Sequence, residues 1–298
     1  MSEPRIQITA DENMPALSAC FGSVAEIKTL PGRSITQKDV QHADALLVRS
    51  ITEVNQQLIN GTSIQFVGSA TIGTDHIDQP YLKANDIAFA HAPGSNAQSV
   101  VEYVITAVAV WCQKHNKSPK DLSFGIIGKG QIGSRLYGFL KGLGVSVLCC
   151  DPPLEQAGEE GPWSDMAAIQ ACDVISCHVP LTKQGGHATQ HLIDDGFMSG
   201  MKAGALLINS SRGPVVNNAA LLKHLKQSHF EAVLDVWETE PVIDEALLDV
   251  LFLATPHIAG YAYEAKIRGT FMLYQAFCQQ FRIKASVAFE DLLPSIKT

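Results

Sequence analysis

Gly128-Lys129-Gly130-Gln131-Ile132-Gly133 is the stretch whose surroundings decide the fold. Ser123-Phe124-Gly125-Ile126-Ile127 precedes it, short and apolar enough for a buried strand. After it, Leu136, Phe139, Leu140 and Leu143 recur at helical spacing, and a second apolar run over 145–150 ends on Asp151. A bare G-x-G-x-x-G mostly marks an ordinary loop. Set between strand and helix, with an acid 18 residues past Gly133, it reads as a dinucleotide-binding loop. Gly128 permits the tight turn, Gly130 lets backbone approach a pyrophosphate, and Gly133 lets helix pack on strand. The amides of Gln131 and Ile132, at the helix N-terminus, would face the phosphates. Asp151 would accept from an adenosine ribose and repel a 2′-phosphate, so NAD is expected over NADP. A βαβ unit without nucleotide, with Asp151 as a turn residue, is the plain alternative.

Working outward, residues 121–255 alternate strand and helix, with strands expected at 123–127, 145–150, 174–179, 205–210, 232–236 and 251–254. That spacing implies a doubly wound parallel sheet with its ligand at the carboxyl ends of the strands. Residues 5–95 read as a smaller α/β unit with strands at 5–10, 45–48, 65–68 and 87–90 and helical or turn material between them. Long helices are expected over 96–115 and 262–281, and the tail over 285–293 is expected to return to the first unit. The expected architecture is α/β with two Rossmann-like domains: a substrate domain of 1–96 plus 282–298, and an NAD domain of 97–281 inserted into it, with a cleft between them.

At 298 residues the chain has room for about two domains, and 46% hydrophobic content supports full cores. A net charge of −8 argues against nucleic acid or an anionic membrane as partner, although a local Arg cluster can still bind an anionic substrate. The seven cysteines show no C-x-x-C pair and fall mostly in apolar runs, which suits a reducing cytoplasm and offers no metal site. The start of the chain reads directly into a strand rather than a signal peptide, and the longest apolar run, 104–112, is too short to cross a bilayer.

Three segments at expected strand ends carry candidate chemistry. In Asn209-Ser210-Ser211-Arg212-Gly213, a guanidinium at a strand's carboxyl end can grip a carboxylate bidentately. The helix after it would be capped by Asn217 or Asn218. Asp235 interrupts the apolar strand Val233-Leu234-Asp235-Val236, so it should meet a polar partner such as the nicotinamide end of a cofactor. Glu238 and Glu240 lie in the loop beyond, where either one alone would ordinarily be a solvated charge. In Thr255-Pro256-His257-Ile258-Ala259-Gly260-Tyr261, a histidine follows a strand and opens onto a glycine turn. An Arg, an acid and a His at successive strand ends suit hydride transfer: His257 takes the hydroxyl proton, a carboxylate beside it orients the ring, and Arg212 binds the substrate.

N-x-S-R-G-x-x-V, L-D-V-x-E-x-E-P and T-P-H-I-A-G, in this order after the glycine loop, resemble the D-isomer-specific 2-hydroxyacid dehydrogenase family. Asp11-Glu12-Asn13-Met14-Pro15, the segments 47–52 and 68–76, Cys150-Asp151-Pro152-Pro153 and Tyr261 after the His segment are similar to a branch of it that oxidises 4-phospho-D-erythronate in pyridoxal phosphate biosynthesis. The resemblance implies that Arg212, Glu240 and His257 are catalytic, Glu240 being the acid immediately before Pro241. It implies NAD contacts from Gln131, Ile132, Asp151, Val179, Ser210, Ser211, Asp235 and Gly260, and substrate contacts from Ser50, Thr71 and Tyr261. Arg49, ending its strand beside Ser50 and Thr52, is the expected phosphate group, unless it only pairs with a carboxylate such as Asp75. The partner implied is a small anionic substrate, a phosphorylated 2-hydroxy acid, and the assembly a homodimer. Two departures stand out. Val179 replaces a polar residue, so only a backbone contact carries over there, and the sequence ends at Thr298 where such enzymes continue into a dimerisation extension. A dehydrogenase of a smaller 2-hydroxy acid and a non-enzymatic NAD sensor remain as other readings.

Overall fold

The computed structural model describes residues 5–294; the expected domain ends at 1–4 and 295–298 lie outside the described residues. Two units emerge, one from the described residues up to Asn96 together with those from Ala262 onward, the other Ala97–Tyr261.

The first unit carries β1 (Ile6–Asp11), β2 (Ala25–Leu30), β3 (Ala45–Val48), β4 (Phe66–Ser69) and β5 (Ala88–His91) in the order β2-β1-β3-β4-β5, all parallel. Its inner strands β3 and β4 are buried on both faces. Ile8, Ala10, Leu47 and Phe66 enter one core and Leu46, Val48 and Val67 the other, as the period-2 geometry of a strand requires. β2 was not expected. Its run Ala-Glu-Ile-Lys-Thr-Leu alternates, but two charges on an edge strand resemble helical or turn material when no partner is known.

The second unit carries β6 (Ser123–Ile127), β7 (Ser146–Cys150), β8 (Val174–Cys177), β9 (Leu206–Asn209), β10 (Glu231–Leu234) and β11 (Leu253–Ala254), parallel throughout, in the order β11-β10-β9-β8-β6-β7. Strand order reverses between β6 and β8, the switch point at which an open α/β sheet leaves a crevice. The helix Ala97–Lys114 buries Val104, Val108 and Trp111 against one face of this sheet.

One boundary is corrected. The helix Tyr263–Gln280, expected to close the NAD domain, belongs to the first unit. Leu273, Tyr274, Phe277 and Cys278 lie in the same core as Ile8, Phe21 and Phe66, with edge-on ring contacts from Phe21 to Tyr274 and Phe277. The tail follows it, with Val287 and Leu292 against that core. No helix among the described residues is long and apolar enough to cross a membrane.

Candidate active site

The loop after β6 is shaped by side chains that are missing. Gly128 sits at φ +90°, and a Cβ there would lie 2.6 Å from the carbonyl oxygen of His178. A Cβ on Gly133 would lie 2.0 Å from the oxygen of Gly128, so the helix Gln131–Gly142 can begin this close to the strand only with glycine. A Cβ on Gly130, the residue capping that helix, would face open space. Asp151, at the end of β7, accepts from Lys129 N at 2.7 Å and from Leu154 N at 3.3 Å, buttressing the loop and capping the next short helix. Beside them a cavity of about 470 Å³ is lined by Lys129, Gly130, Gln131, Arg135 and Trp163.

At the ends of β8 and β9 two buried polar atoms, His178 Nδ1 and Ser210 Oγ, have no partner among the described residues. Burial pushes the His178 imidazole down to about 4 and keeps it neutral; its Nε2 meets Ser176 Oγ at 2.9 Å. Glycines opened toward a helix N-terminus, a carboxylate one strand away and an orphaned hydroxyl are what a dinucleotide needs, so these residues fit NAD. Val179 follows His178 and stays half-buried.

The loops after β9, β10 and β11 are tied by polar side chains. Asn209 is fully buried; its Oδ1 accepts from Ser211 N and Oγ, and its Nδ2 donates to Arg212 O at 2.9 Å. Arg212 is thereby held in extended backbone, and its Nη1 donates to Ser211 O at 2.9 Å. Of the two caps left open, Asn217 takes the position, accepting from Ala220 N.

Asp235 is 1% exposed, and the polar partner expected for it is the histidine loop itself. Its carboxylate accepts from Thr255 Oγ1 at 2.6 Å, Ile258 N at 2.7 Å and Ala259 N at 2.9 Å, while its carbonyl accepts from His257 N at 2.7 Å. Tyr103 Oη extends the chain to Thr255 Oγ1 at 2.7 Å. Thus held, His257 adopts φ +57°, a left-handed conformation that costs a non-glycine residue about 1–3 kcal/mol and persists only when its surroundings enforce it.

Glu240 lies 2.9 Å from His257 Nδ1 through Oε2 and accepts from Trp237 N at 2.7 Å through Oε1. A carboxylate only accepts, so Nδ1 carries the proton and Nε2 is left as a base. Of the two acids in this loop, Glu240 is the one beside the ring. Glu238 is not a solvated charge: it meets His191 and the amide of Asn218. The segment 257–261 ends in exposed Tyr261, whose amide donates to Ile258 O, with Gly260 before it.

On the first unit, Arg49 donates through Nε to Asp11 Oδ2 at 3.1 Å, so a carboxylate is indeed beside it, and that carboxylate is Asp11. Its terminal nitrogens make no hydrogen bond among the described residues. The pair sits where the strand order of this sheet reverses, between β1 and β3, with exposed Ser50 next in sequence and Thr52 bound to Gly32 O. At the end of β4, buried Ser69 bonds both Thr71 Oγ1 at 2.7 Å and His76 Nε2 at 2.9 Å. Asn209, Thr255, Tyr103, His191 and Ser69 help hold these loops, and none of them is among the site residues expected from the sequence. A polar residue closing an apolar strand flags Asn209 and Ser69, but nothing local flags His191. Among the described residues no three His, Cys, Asp or Glu side chains gather to hold a metal.

The model of the D-isomer specific 2-hydroxyacid dehydrogenase NAD binding domain matches residues 105–259. The chain is 48% identical over 289 residues to the erythronate-4-phosphate dehydrogenase of Pseudomonas fluorescens SBW25, covering 96% of this chain and 76% of that one. It is 46% identical to the enzyme of the same name from Salmonella arizonae, covering 97% and 77%. Among solved structures, the NAD⁺-bound 3-phosphoglycerate dehydrogenase of Entamoeba histolytica superposes with a TM-score of 0.79 at 21% identity, covering 96% of this chain and 99% of that one. The D-lactate dehydrogenase of Aquifex aeolicus complexed with NAD and lactic acid gives 0.72 at 23% identity, covering 93% and 95%. At such identities the likeness speaks to the fold. Glycine loop and sequence identity over nearly the whole chain agree: this chain belongs to the D-isomer-specific 2-hydroxyacid dehydrogenases, oxidoreductases that use NAD.

Proposed function

We propose that the chain oxidises 4-phospho-D-erythronate at C2, giving 2-oxo-3-hydroxy-4-phosphobutanoate on the way to pyridoxal 5′-phosphate. The substrate is supported by the name its relatives carry at 45–48% identity over nearly the whole chain. The observation that carries the chemistry is the Glu240–His257 pair, with Nδ1 engaged and Nε2 left to act.

In this reading His257 Nε2 takes the proton of the C2 hydroxyl, and Glu240 stabilises the imidazolium that results. Arg212 binds the substrate carboxylate and polarises the C2 oxygen as it becomes a carbonyl. Bound NAD supplies the hydride acceptor. The loop amides of Gln131 and Ile132, Asp151, the backbone at Val179, Ser210, Ser211 and Gly260 would hold it, with Asp235 fixing the loop at its nicotinamide end. Ser50, Thr71 and Tyr261 would contact substrate, and Arg49, steadied by Asp11, would take the 4-phosphate. The enzyme is proposed to work as a homodimer in the cytoplasm, in keeping with seven free, buried thiols.

Turnover of 4-phospho-D-erythronate, D-erythronate and D-lactate with NAD tests the reading. The phosphorylated acid should be preferred, and Arg49→Met should lower kcat/KM for it roughly ten- to hundredfold while sparing D-erythronate. Equal loss on both substrates would make Arg49 structural, and preference for D-lactate would replace the substrate.

A further inference from the structure

Glu238 and His191 lie outside the proposed catalytic set, yet they join the segments that carry it. Three stretches of the second unit meet here: 189–193, 212–218 and 237–240. His191 N donates to Pro214 O at 2.7 Å, Ile193 N to Val215 O at 3.0 Å and Asn217 N to Ile193 O at 3.0 Å, so the first two stretches form a short parallel ladder. The second rests directly on the third. A Cβ on Gly213, next to Arg212, would lie 1.8 Å from Trp237 O and 2.6 Å from Glu238 N.

Glu238 closes this arrangement with its two oxygens. Oε1 accepts from His191 Nε2 at 2.5 Å, and Oε2 from Asn218 N at 3.0 Å. With its amide turned to satisfy its neighbours, Asn218 returns the bond, accepting from Glu238 N and donating to Val216 O, both at 3.2 Å. His191 holds φ +53° to reach this position. Only a carboxylate can accept from two donors on separate oxygens; an amide in its place would turn an NH₂ toward one of them. Glu238 is two residues from Glu240, whose own carboxylate bends back to Trp237 N, so displacing one displaces the turn that holds the other.

We infer that Glu238 and His191 form a clasp that positions Arg212 and Glu240 for reaction: they are positioning residues that touch neither substrate nor cofactor. The inference rests on the roles proposed above for Arg212 and Glu240. It gives the segment following Val179 a mechanical part in the site, because His191 is where that segment is fastened to the two catalytic loops.

The test uses the full chain with Glu238→Gln, His191→Ala, the double variant, and His191→Gln, which restores an N–H donor. Four measurements are taken: kcat and KM on 4-phospho-D-erythronate, NADH affinity by fluorescence, melting temperature, and amide hydrogen exchange by peptide. Either breaking variant should lower kcat/KM about ten- to hundredfold, with NADH affinity within about twofold and exchange accelerated at 212–218 and 237–240 but not at 128–134. The double variant should lose no more than the worse single one, and His191→Gln should recover most of the activity. Additive losses, equal weakening of NADH binding, or unchanged exchange in those two peptides would overturn the clasp. Should Glu238→Gln not fold, His191→Ala leaves the Glu238–Asn218 bond in place and decides the matter alone. A wild type inactive on this substrate refutes the proposed function, while the exchange pattern still decides the clasp.

Discussion

At the β6–β8 end of the second sheet the loops are shaped chiefly by absent side chains, with Asp151 as a buttress, whereas at the β9–β11 end they are tied chiefly by carboxylates, with Gly213 as one close approach. Gly128 and Gly133 let backbone come within distances that a single methyl would forbid. Asp235, Glu238 and Glu240 instead collect donors from the adjoining loops. The difference follows the task. A cofactor's phosphates need room and exposed amides, which bulk would block. Proton transfer needs one ring at one angle, which directional acceptors enforce. The two ends should therefore fail differently: the first to added volume, the second to isosteric loss of charge.

The largest effect expected is at His257. His257→Ala should reduce kcat by about 10³-fold, within the usual range for a general base, with NADH titrations unchanged. Weakened NADH binding in that variant would mean the two ends are not separable. Gly133→Ala should do the reverse. Its methyl meets the Gly128 carbonyl, and strain of about 1–3 kcal/mol should raise the NADH Kd roughly ten- to hundredfold while kcat at saturating cofactor stays near wild type.

Asp235→Asn is nearly isosteric, yet it would turn an NH₂ toward a backbone amide, at a cost of about 1–3 kcal/mol. About a tenfold lower kcat and a lower melting temperature should follow, and an unchanged kcat would remove Asp235 from the support of His257. Glu240→Gln should lower kcat about tenfold with NADH affinity unchanged, because its amide offers the ring an NH₂ as readily as an oxygen and no longer fixes which nitrogen carries the proton. An unchanged kcat in Glu240→Gln would remove Glu240 from the support of the ring.

The smallest effect concerns stability. His178 is held neutral down to about pH 4, against about 6.5 for a free imidazole. Between those values the unfolded chain binds the extra proton. Stability therefore rises with pH across this window and is lost as pH falls through it, by at most about 1.4 kcal/mol per unit. His178→Phe should flatten the melting-temperature profile between pH 6.5 and 4.5. A profile as steep as wild type would assign the acid limb to other groups.

Much of this was legible in the sequence because it rests on local rules. Glycine spacing gave the cofactor loop, and apolar runs of four to six residues gave ten of the eleven strands. Arg212, Asp235 and His257 announced themselves as polar residues closing apolar strands. What escaped depends on pairing that no local window records. The edge strand Ala25–Leu30 is defined by its register with β1, and the helix Tyr263–Gln280 by the core it joins. His191 meets Glu238 from 47 residues away. Asp235 was expected to have a polar partner, but only the fold could say that the partner was the loop carrying His257.

The return of Tyr263–Gln280 to the first core bears on the order in which the protein can be made. The ribosome releases β1 to β5 early, yet Leu273, Tyr274, Phe277 and Cys278, which complete their hydrophobic cover, arrive only after all of Ala97–Tyr261. Ala97–Tyr261 is continuous and can settle as soon as it emerges, so of these two units the one begun first should be finished second. A nascent chain stopped at Tyr261 should accordingly resist protease over its second unit while its first ninety-odd residues are cut, and equal resistance of both would show that the first sheet does not wait for its helix.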